Sequence, residues 1–188
     1  MAARTSAVDA RTALKNQRGS ADGGFIKRHL DRCIARAAKD IAALEREMLK
    51  RIEADDALAR RYAILTSIPG FGFVVAATLI ACLTELGGAS AKQIGMLAGL
   101  APIADQSGQR DRARVIWGGR PAVRRILYLA ALSASSFNAD MKTFHHRLIA
   151  AGKPAKVALI AVARKLVILA NTLVGQDRTW LINPPKAA

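Results

Sequence analysis

The sequence predicts an all-α chain, and three observations lead to this prediction. Hydrophobic residues make up 52% of the 188 residues and aromatic residues only 5%, with much of the apolar content supplied by alanine, a strong helix former. Apolar residues between positions 30 and 48 recur at helical spacing. No segment alternates between polar and apolar residues for long enough to indicate a sheet. The apolar content also suffices for one sizeable core.

The first 56 residues divide into two parts. Residues 1–24 are polar, end in a Gly-Gly step and show no sustained periodicity, so we expect a flexible leader over residues 1–25. Residues 26–56 are predicted to form one helix, on which apolar residues follow a heptad seam. Two interpretations of this helix remain open: an amphipathic helix packed on its own domain, or a coiled coil, formed within a hairpin or between subunits. The seam comprises Leu30, Ile34, Ala37, Ile41, Leu44 and Met48.

Residues 57–175 are predicted to form a compact helical domain, followed by a short tail at 176–188. Ser90 suits the N-cap of a helix, Pro154 suits a first helical position, and the glycines at 87–88 and 152 end the helices before them. A Gly- and Arg-rich connection occupies residues 99–120. The predicted helices cover residues 57–67, 74–85, 91–98, 121–136, 138–150 and 155–174.

Positive charge is concentrated in the hydrophobic part of the chain. The net charge is +15, and residues 65–188 alone hold 15 Lys and Arg against 5 Asp and Glu. Nucleic-acid phosphate is the commonest partner for such a surface, with an anionic membrane as the alternative. The longest apolar run, residues 71–83, is shorter than the ~20 residues that span a bilayer. With no signal-peptide core and no paired cysteine spacing, we expect a soluble cytoplasmic protein that does not associate with membranes.

The turn at residues 68–72 has the form of the hairpin in a helix-hairpin-helix motif. Pro69 fixes the entry to the turn, and Gly70 and Gly72 allow backbone angles and close approaches that other residues do not. The helix that follows would direct its free amides at a phosphate oxygen. The alternative is an ordinary corner between helices, in which glycine serves tight packing.

The connection that follows combines a candidate nucleophile with a cluster of arginines. Six arginines fall within sixteen positions against one acid, Asp111, and Trp117 adds a possible stacking surface. Ser107 begins a Ser-Gly step beside them, and guanidinium groups could activate its hydroxyl for attack on a phosphodiester. No histidine stands beside it as a base, so an ordinary turn residue is the alternative. The six arginines, predicted to bind nucleic acid, are Arg110, Arg112, Arg114, Arg120, Arg124 and Arg125.

No metal site is predicted. His145 and His146 are adjacent on a predicted helix, where their rings diverge, and His29 is far from both in the sequence. The acids of the second half are scattered singly, whereas a two-metal nuclease needs converging carboxylates. We therefore expect no cofactor in this chain.

Several segments in order resemble the C-terminal domain of the IS110-type (IS116/IS902-like) bacterial insertion-sequence transposases. They are Leu65 to Gly72, Ala76 to Leu79, Leu97 to Pro102, the Ser107-Gly108 step, Leu127 to Leu132, and Gly152 to Lys165. The resemblance implies a protein that recombines DNA under the guidance of a structured RNA. It also implies that Ser107 matches the family's essential serine.

Two departures from the family pattern shape the expectation for this chain. Full-length members carry an N-terminal RuvC-like domain with four metal-binding carboxylates, and 25 residues are too few for it. The resemblance therefore implies a truncated chain without the Mg²⁺ site, which we do not expect to transpose alone. The family's Lys-Arg-Gly-Asn-like stretch is also replaced here by Trp117-Gly118-Gly119-Arg120-Pro121.

Three hypotheses follow from the sequence. The first is a nucleic-acid-binding transposase domain that presents Ser107 to a phosphodiester. The second is a non-catalytic helical DNA- or RNA-binding module that dimerises through its coiled coil. The third is a helical assembly protein whose charge only keeps it soluble. Expected partners are DNA, a structured guide RNA, and a second copy or a full-length transposase.

Overall fold

The computed structural model describes residues 1–103, 106–107, 110–111, 115–116 and 118–180, and it confirms the all-α prediction. The chain divides into two compact units, Met1–Asp56 and Ala57–Ala188. Helices form the framework of both units. The strands in the described residues are four, each two residues long, and all lie within the connection between the fifth and sixth helices.

The first unit is an antiparallel pair of helices, α1 (Ala2–Ser20) and α2 (Gly24–Glu53). Arg4 binds Glu45 at 2.7 Å and Arg18 binds Asp31 at 2.9 Å, so the start of α1 lies beside the end of α2. The apolar seam of α2 is turned away from solvent, with Ile41 buried and the other five seam residues half-buried. Helix α2 thus has a partner within its own unit, while the coiled coil remains a prediction.

The flexible leader expected at residues 1–25 is wrong for most of that range, because residues 2–20 form α1. The half-buried face of α1 includes Arg4, Val8, Arg11 and Leu14, which follow helical spacing. Two of these four residues are arginines, whose aliphatic stems can cover apolar surface while the charge stays in water. A search for apolar periodicity misses such a face.

The second unit is built around its last helix. Helix α8 packs against α5, α6 and α7, and eight of its residues are buried, among them Val162, Leu166 and Leu173. By length and composition α8 could cross a membrane, but six of its eight buried residues belong to the hydrophobic core of this unit. The six helices are α3 (Asp56–Thr66), α4 (Phe73–Cys82), α5 (Ala91–Leu97), α6 (Pro121–Phe137), α7 (Ala139–Ala150) and α8 (Ala155–Gly175).

Side-chain hydrogen bonds fix several helix ends. Ser90 and Gln93 form a reciprocal capping box at the start of α5, and Asn138 caps α7 by accepting from the amide of Met141 at 3.2 Å. Helix α4 ends at Cys82, three residues before its predicted end. The turn after it is held by Asn171 of α8, which accepts from the amide of Gly87 and donates to the carbonyl of Ala89.

The connection between α5 and α6 contains two antiparallel strand pairs. The outer pair joins β1 (Pro102–Ile103) to β4 (Val115–Ile116), and the inner pair joins β2 (Gln106–Ser107) to β3 (Arg110–Asp111). The inner pair lies between the outer strands in sequence; we call residues 102–116, which contain these four strands, the ribbon. Strands this short lie below the length at which alternation can be recognised in a sequence.

Candidate nucleic-acid interface

The ribbon brings two of the predicted site residues together. Its inner register places Ser107 directly opposite Arg110, and Gln106 opposite Asp111. Opposite residues in an antiparallel pair have Cα atoms about 4.5–5.5 Å apart. The Ser-Gly step and the first arginine of the cluster are therefore neighbours across the strands, although three positions separate them in sequence. Arg112, Arg114 and Trp117 lie outside the described residues, as do the side chains of Ser107 and Arg110.

Close approaches between glycines join the two ends of the ribbon to the helical core. Gly99, Gly118 and Gly119 all have positive φ, at 67°, 72° and 65°. A Cβ added to Gly99 would lie 2.5 Å from the carbonyl oxygen of Gly118, and one added to Gly119 would overlap the backbone of Gly99. The amide of Arg120 also donates to the carbonyl of Leu97 at 2.9 Å. Only glycine fits so close an approach of two backbones.

An ion pair reinforces this junction. The guanidinium of Arg120 donates to both carboxylate oxygens of Glu85, at 2.6 and 2.7 Å, and to the carbonyl of Cys82 at 3.0 Å. The hydrogen bonds from Arg120 lower the pKa of Glu85 to about 2. Arg120 was predicted to bind nucleic acid, but here its guanidinium joins the start of α6 to the turn after α4. This planar, bidentate geometry is the one in which arginine and carboxylate interact most strongly.

The last two arginines of the predicted set lie in the first turns of α6. Arg124 is half-buried and donates to the carbonyl of Gly118 at 2.7 Å, so it too supports the base of the ribbon. Arg125 is exposed. Of the arginines that the structure describes, Arg110 thus lies on the ribbon, while Arg120 and Arg124 support its base.

The Pro-Gly turn is a tight corner between α3 and α4. The amide of Phe71 donates to the carbonyl of Ile68 at 2.9 Å, with Pro69 and Gly70 in the central positions and Gly70 at φ 101°. These are the features of a type II turn. A Cβ at Gly70 would lie 3.1–3.2 Å from Ala134 of α6, so this glycine also serves close packing, as the alternative interpretation held.

The far side of the same turn is open. Gly72 is exposed, is the N-cap residue of α4, and has nothing within 4 Å of the position that a Cβ would occupy. No side chain caps α4, so its first amides retain donor capacity. Asn138 donates to the carbonyl of Pro69 at 3.4 Å and ties the turn to the α6–α7 junction. The geometry allows a phosphate to bind at Gly72, and the helix-hairpin-helix role remains a prediction.

Comparison with known proteins places these features in a family. Residues 62–146, which include the turn, the ribbon and its base, match the family described as Transposase IS116/IS110/IS902. The chain carries a domain of this transposase family. The resemblance to this family found in the sequence is therefore confirmed, whereas the C-terminal position of the domain and the truncation of the chain remain predictions. The Pro-Gly turn and the ribbon lie within the matched residues.

Individual relatives agree with the family match. The pilin gene-inverting proteins of Moraxella bovis and Moraxella lacunata are each 29% identical over 164 residues, covering 83% of this chain and 50% of each relative. An uncharacterized 42 kDa protein of the insertion element IS900 from Mycobacterium paratuberculosis is 32% identical over 146 residues, or 70% of this chain and 35% of that protein. The chain spans about half the length of the Moraxella relatives.

The second unit of the chain has another basic surface, which the sequence-based predictions did not include. Residues 139–175, which form α7 and α8, contain six Lys and Arg against a single acid, Asp140. Five of these cations are exposed, and Arg164 is half-buried. They are separated by apolar core positions, so they do not form a visible cluster in the sequence. A count of basic against acidic residues over this segment would have found them. They are Lys142, Arg147, Lys153, Lys156, Arg164 and Lys165.

Among the described residues, no group of three or more His, Cys, Asp or Glu side chains could hold a metal ion. His145 and His146 lie next to each other on α7, with ring centres 6.1 Å apart and planes tilted by 53°. The two cysteines, Cys33 and Cys82, are free thiols.

Proposed function

We propose that this chain is a nucleic-acid-binding part of an insertion-sequence transposase, and that its ribbon presents Ser107 as a phosphodiester nucleophile. One observation carries the proposal: the inner register of the ribbon makes Ser107 and Arg110 direct neighbours. A phosphate held by an arginine opposite the serine would be within reach of the hydroxyl, and the positive charge would stabilise the transition state.

The proposed step replaces one phosphate ester bond with another, so the energy of the broken DNA bond is retained in the bond between serine and phosphate. The Oγ of Ser107 forms a bond to phosphorus as the bond from phosphorus to one sugar oxygen breaks. The hydroxyl proton passes to solvent, and the departing sugar oxygen takes up a proton. The resulting phosphoserine bond can be attacked by another sugar hydroxyl, which releases the serine and joins a new strand. The names of the Moraxella relatives refer to gene inversion, which is a rearrangement that requires DNA strands to be cut and rejoined.

The base of the ribbon supports this role. The close backbone approaches of Gly99 and Gly119 and the Arg120–Glu85 ion pair join both ends of the ribbon to helices of the core. A catalytic side chain is most precise when the residues that carry it are anchored to rigid elements. DNA is the proposed substrate. A structured guide RNA, and a second copy or a full-length transposase, are the further proposed partners.

A trapped adduct tests the proposed chemistry. DNA with sulfur in place of the departing sugar oxygen cannot rejoin after cleavage, so a serine that attacks it stays bound to the DNA. The chain, alone and mixed with a full-length family member that supplies the Mg²⁺-dependent domain, should give a detergent-resistant adduct. Ser107→Ala should abolish the adduct formed by this chain while DNA binding is retained. An adduct of this chain that persists in Ser107→Ala contradicts the assignment.

A second candidate is a non-catalytic nucleic-acid-binding module that dimerises through α1 and α2. The observation that favours it is the helix pair itself, because the seam of α2 stays only half-buried at five of its six positions. Under this alternative this chain forms no adduct, either alone or mixed with the full-length member. DNA binding is unchanged by Ser107→Ala, and the chain sediments as a dimer.

A further inference from the structure

We propose that the cleft bounded by α7, α8 and Trp180 binds one unpaired nucleotide, with its phosphate on Arg147 and Lys165 and its base against Trp180. This binding site goes beyond the proposed function because it uses neither Ser107 nor the ribbon. It adds a second place at which the chain holds nucleic acid, on the basic surface of α7 and α8.

The cleft has the size and composition of a small-ligand site. Its volume is about 340 Å³, within the range of roughly 300–1,000 Å³ that is typical of such sites. Met141, Leu169, Phe144 and Trp180 supply an apolar lining. A cleft that combines an apolar lining with a few charged groups suits a ligand that has both a flat apolar part and an ionised part.

The two cations at the cleft are held by an aromatic ring rather than by acids. The Nζ of Lys165 lies 4.6 Å from the centre of the Phe144 ring, and the Cζ of Arg147 lies 5.4 Å from it. In the part of the chain that the structure describes, neither cation forms an ion pair. The ring contacts both charges without neutralising them, and both residues line the cleft, which leaves them available to a phosphate.

Trp180 provides the flat surface. It is half-buried against the core, and its backbone amide donates to the hydroxyl of Ser67 at 2.8 Å. The residues before it are tied down by Arg60, which binds Asp177 at 2.8 Å. An indole held in this way can stack on a base without a large loss of side-chain freedom. An acidic peptide would use the cations but has no comparable use for the indole.

Asp140 makes the site selective. Its carboxylate lines the cleft and disfavours a bare anion, but it can accept a hydrogen bond from an amino group on the edge of a base. Cytosine carries such a group, whereas thymine has a carbonyl oxygen at the same position. The site should therefore prefer oligo(dC) to oligo(dT), two ligands of the same charge and similar size.

Fluorescence of Trp180 tests the site directly. The chain has two tryptophans, so Trp117→Phe leaves Trp180 as the only one. Oligo(dC) should quench it, and an abasic oligonucleotide of equal length, which carries phosphates without bases, should not. Arg147→Gln with Lys165→Gln should weaken oligo(dC) binding about tenfold, whereas Lys142→Gln with Lys153→Gln, which removes the same charge outside the cleft, should change it little. Asp140→Asn should remove the preference for oligo(dC) over oligo(dT).

The test of the cleft is independent of the test of the ribbon. Quenching should persist when Arg110, Arg112 and Arg114 are changed to Ala, even if duplex binding is abolished. Absence of quenching by oligo(dC), equal quenching by the abasic oligonucleotide, or stronger competition by a polyglutamate peptide than by oligo(dC) would each overturn the proposal. Trp180→Phe keeps an aromatic ring in the core. When binding is measured by fluorescence anisotropy, the Trp180→Phe variant should bind oligo(dC) more tightly than the Trp180→Ala variant.

Discussion

At the scale of single residues, the domain depends on glycines and ion pairs whose roles differ with their surroundings. Gly70 and Gly152 both have positive φ, but only Gly70 has another helix within van der Waals reach. The sequence marked Gly70 and Gly72 together as parts of one hairpin. It could not separate a glycine that packs on Ala134 from one that faces solvent, because the distinction depends on α6, more than sixty residues away.

We predict that Gly70→Ala destabilises the chain by about 1–2 kcal/mol more than Gly152→Ala. Both substitutions strain the backbone, but the new methyl group at position 70 must also displace Ala134, which lies 3.1 Å away. Urea unfolding of the two variants measures the difference. Equal midpoints would show that the turn does not pack on α6 as described.

The ion pair at the base of the ribbon gives a pH-dependent prediction. Hydrogen bonds, chiefly those from Arg120, lower the pKa of Glu85 from 4.5 to about 2, so the folded state favours the charged carboxylate. The resulting stabilisation is fully present above pH 4.5 and is lost as the pH falls towards 2. Glu85→Gln should therefore unfold at lower urea concentration than wild type at pH 7, with a difference that shrinks below pH 4.5. A difference independent of pH would show that the carboxylate charge is not what stabilises this junction.

At the scale of elements, the helices were predictable where apolar spacing or capping residues marked them. Ser90 and Asn138 begin helices as capping chemistry requires. Helix α1 was missed because arginine stems occupy part of its inner face. The ribbon was missed because its strands are two residues long, and pairing between them depends on register rather than on pattern.

Helix α1 should be folded and should depend on α2. We predict that Ile41→Ala, which removes buried apolar volume from the helix pair, lowers hydrogen-exchange protection throughout α1, since isolated helices of this length are marginal. Lys39→Ala, an exposed change on the same helix, is the control and should leave protection unchanged. Unprotected α1 amides in the wild-type chain would show that residues 2–20 are a flexible leader after all.

At the scale of the whole molecule, positive charge has two positions in the second unit: the ribbon with its base, and the α7–α8 surface. The sequence predicted the first from six arginines in sixteen positions. It did not predict that Arg120 and Arg124 bind within the protein, since partners distant in sequence decide that. We therefore propose that the ribbon arginines, rather than the total charge, bind nucleic acid.

The salt dependence of DNA binding tests whether the ribbon arginines bind nucleic acid. Changing Arg110, Arg112 and Arg114 to Ala should reduce the slope of log affinity against log salt by up to about 3, roughly one for each phosphate that is no longer neutralised. Changing Arg32, Arg36 and Lys39, exposed on α2, removes the same charge and should leave the slope nearly unchanged. Equal slopes for the ribbon variant and wild type, or equal reductions in both variants, would contradict the assignment of the ribbon as the nucleic-acid interface.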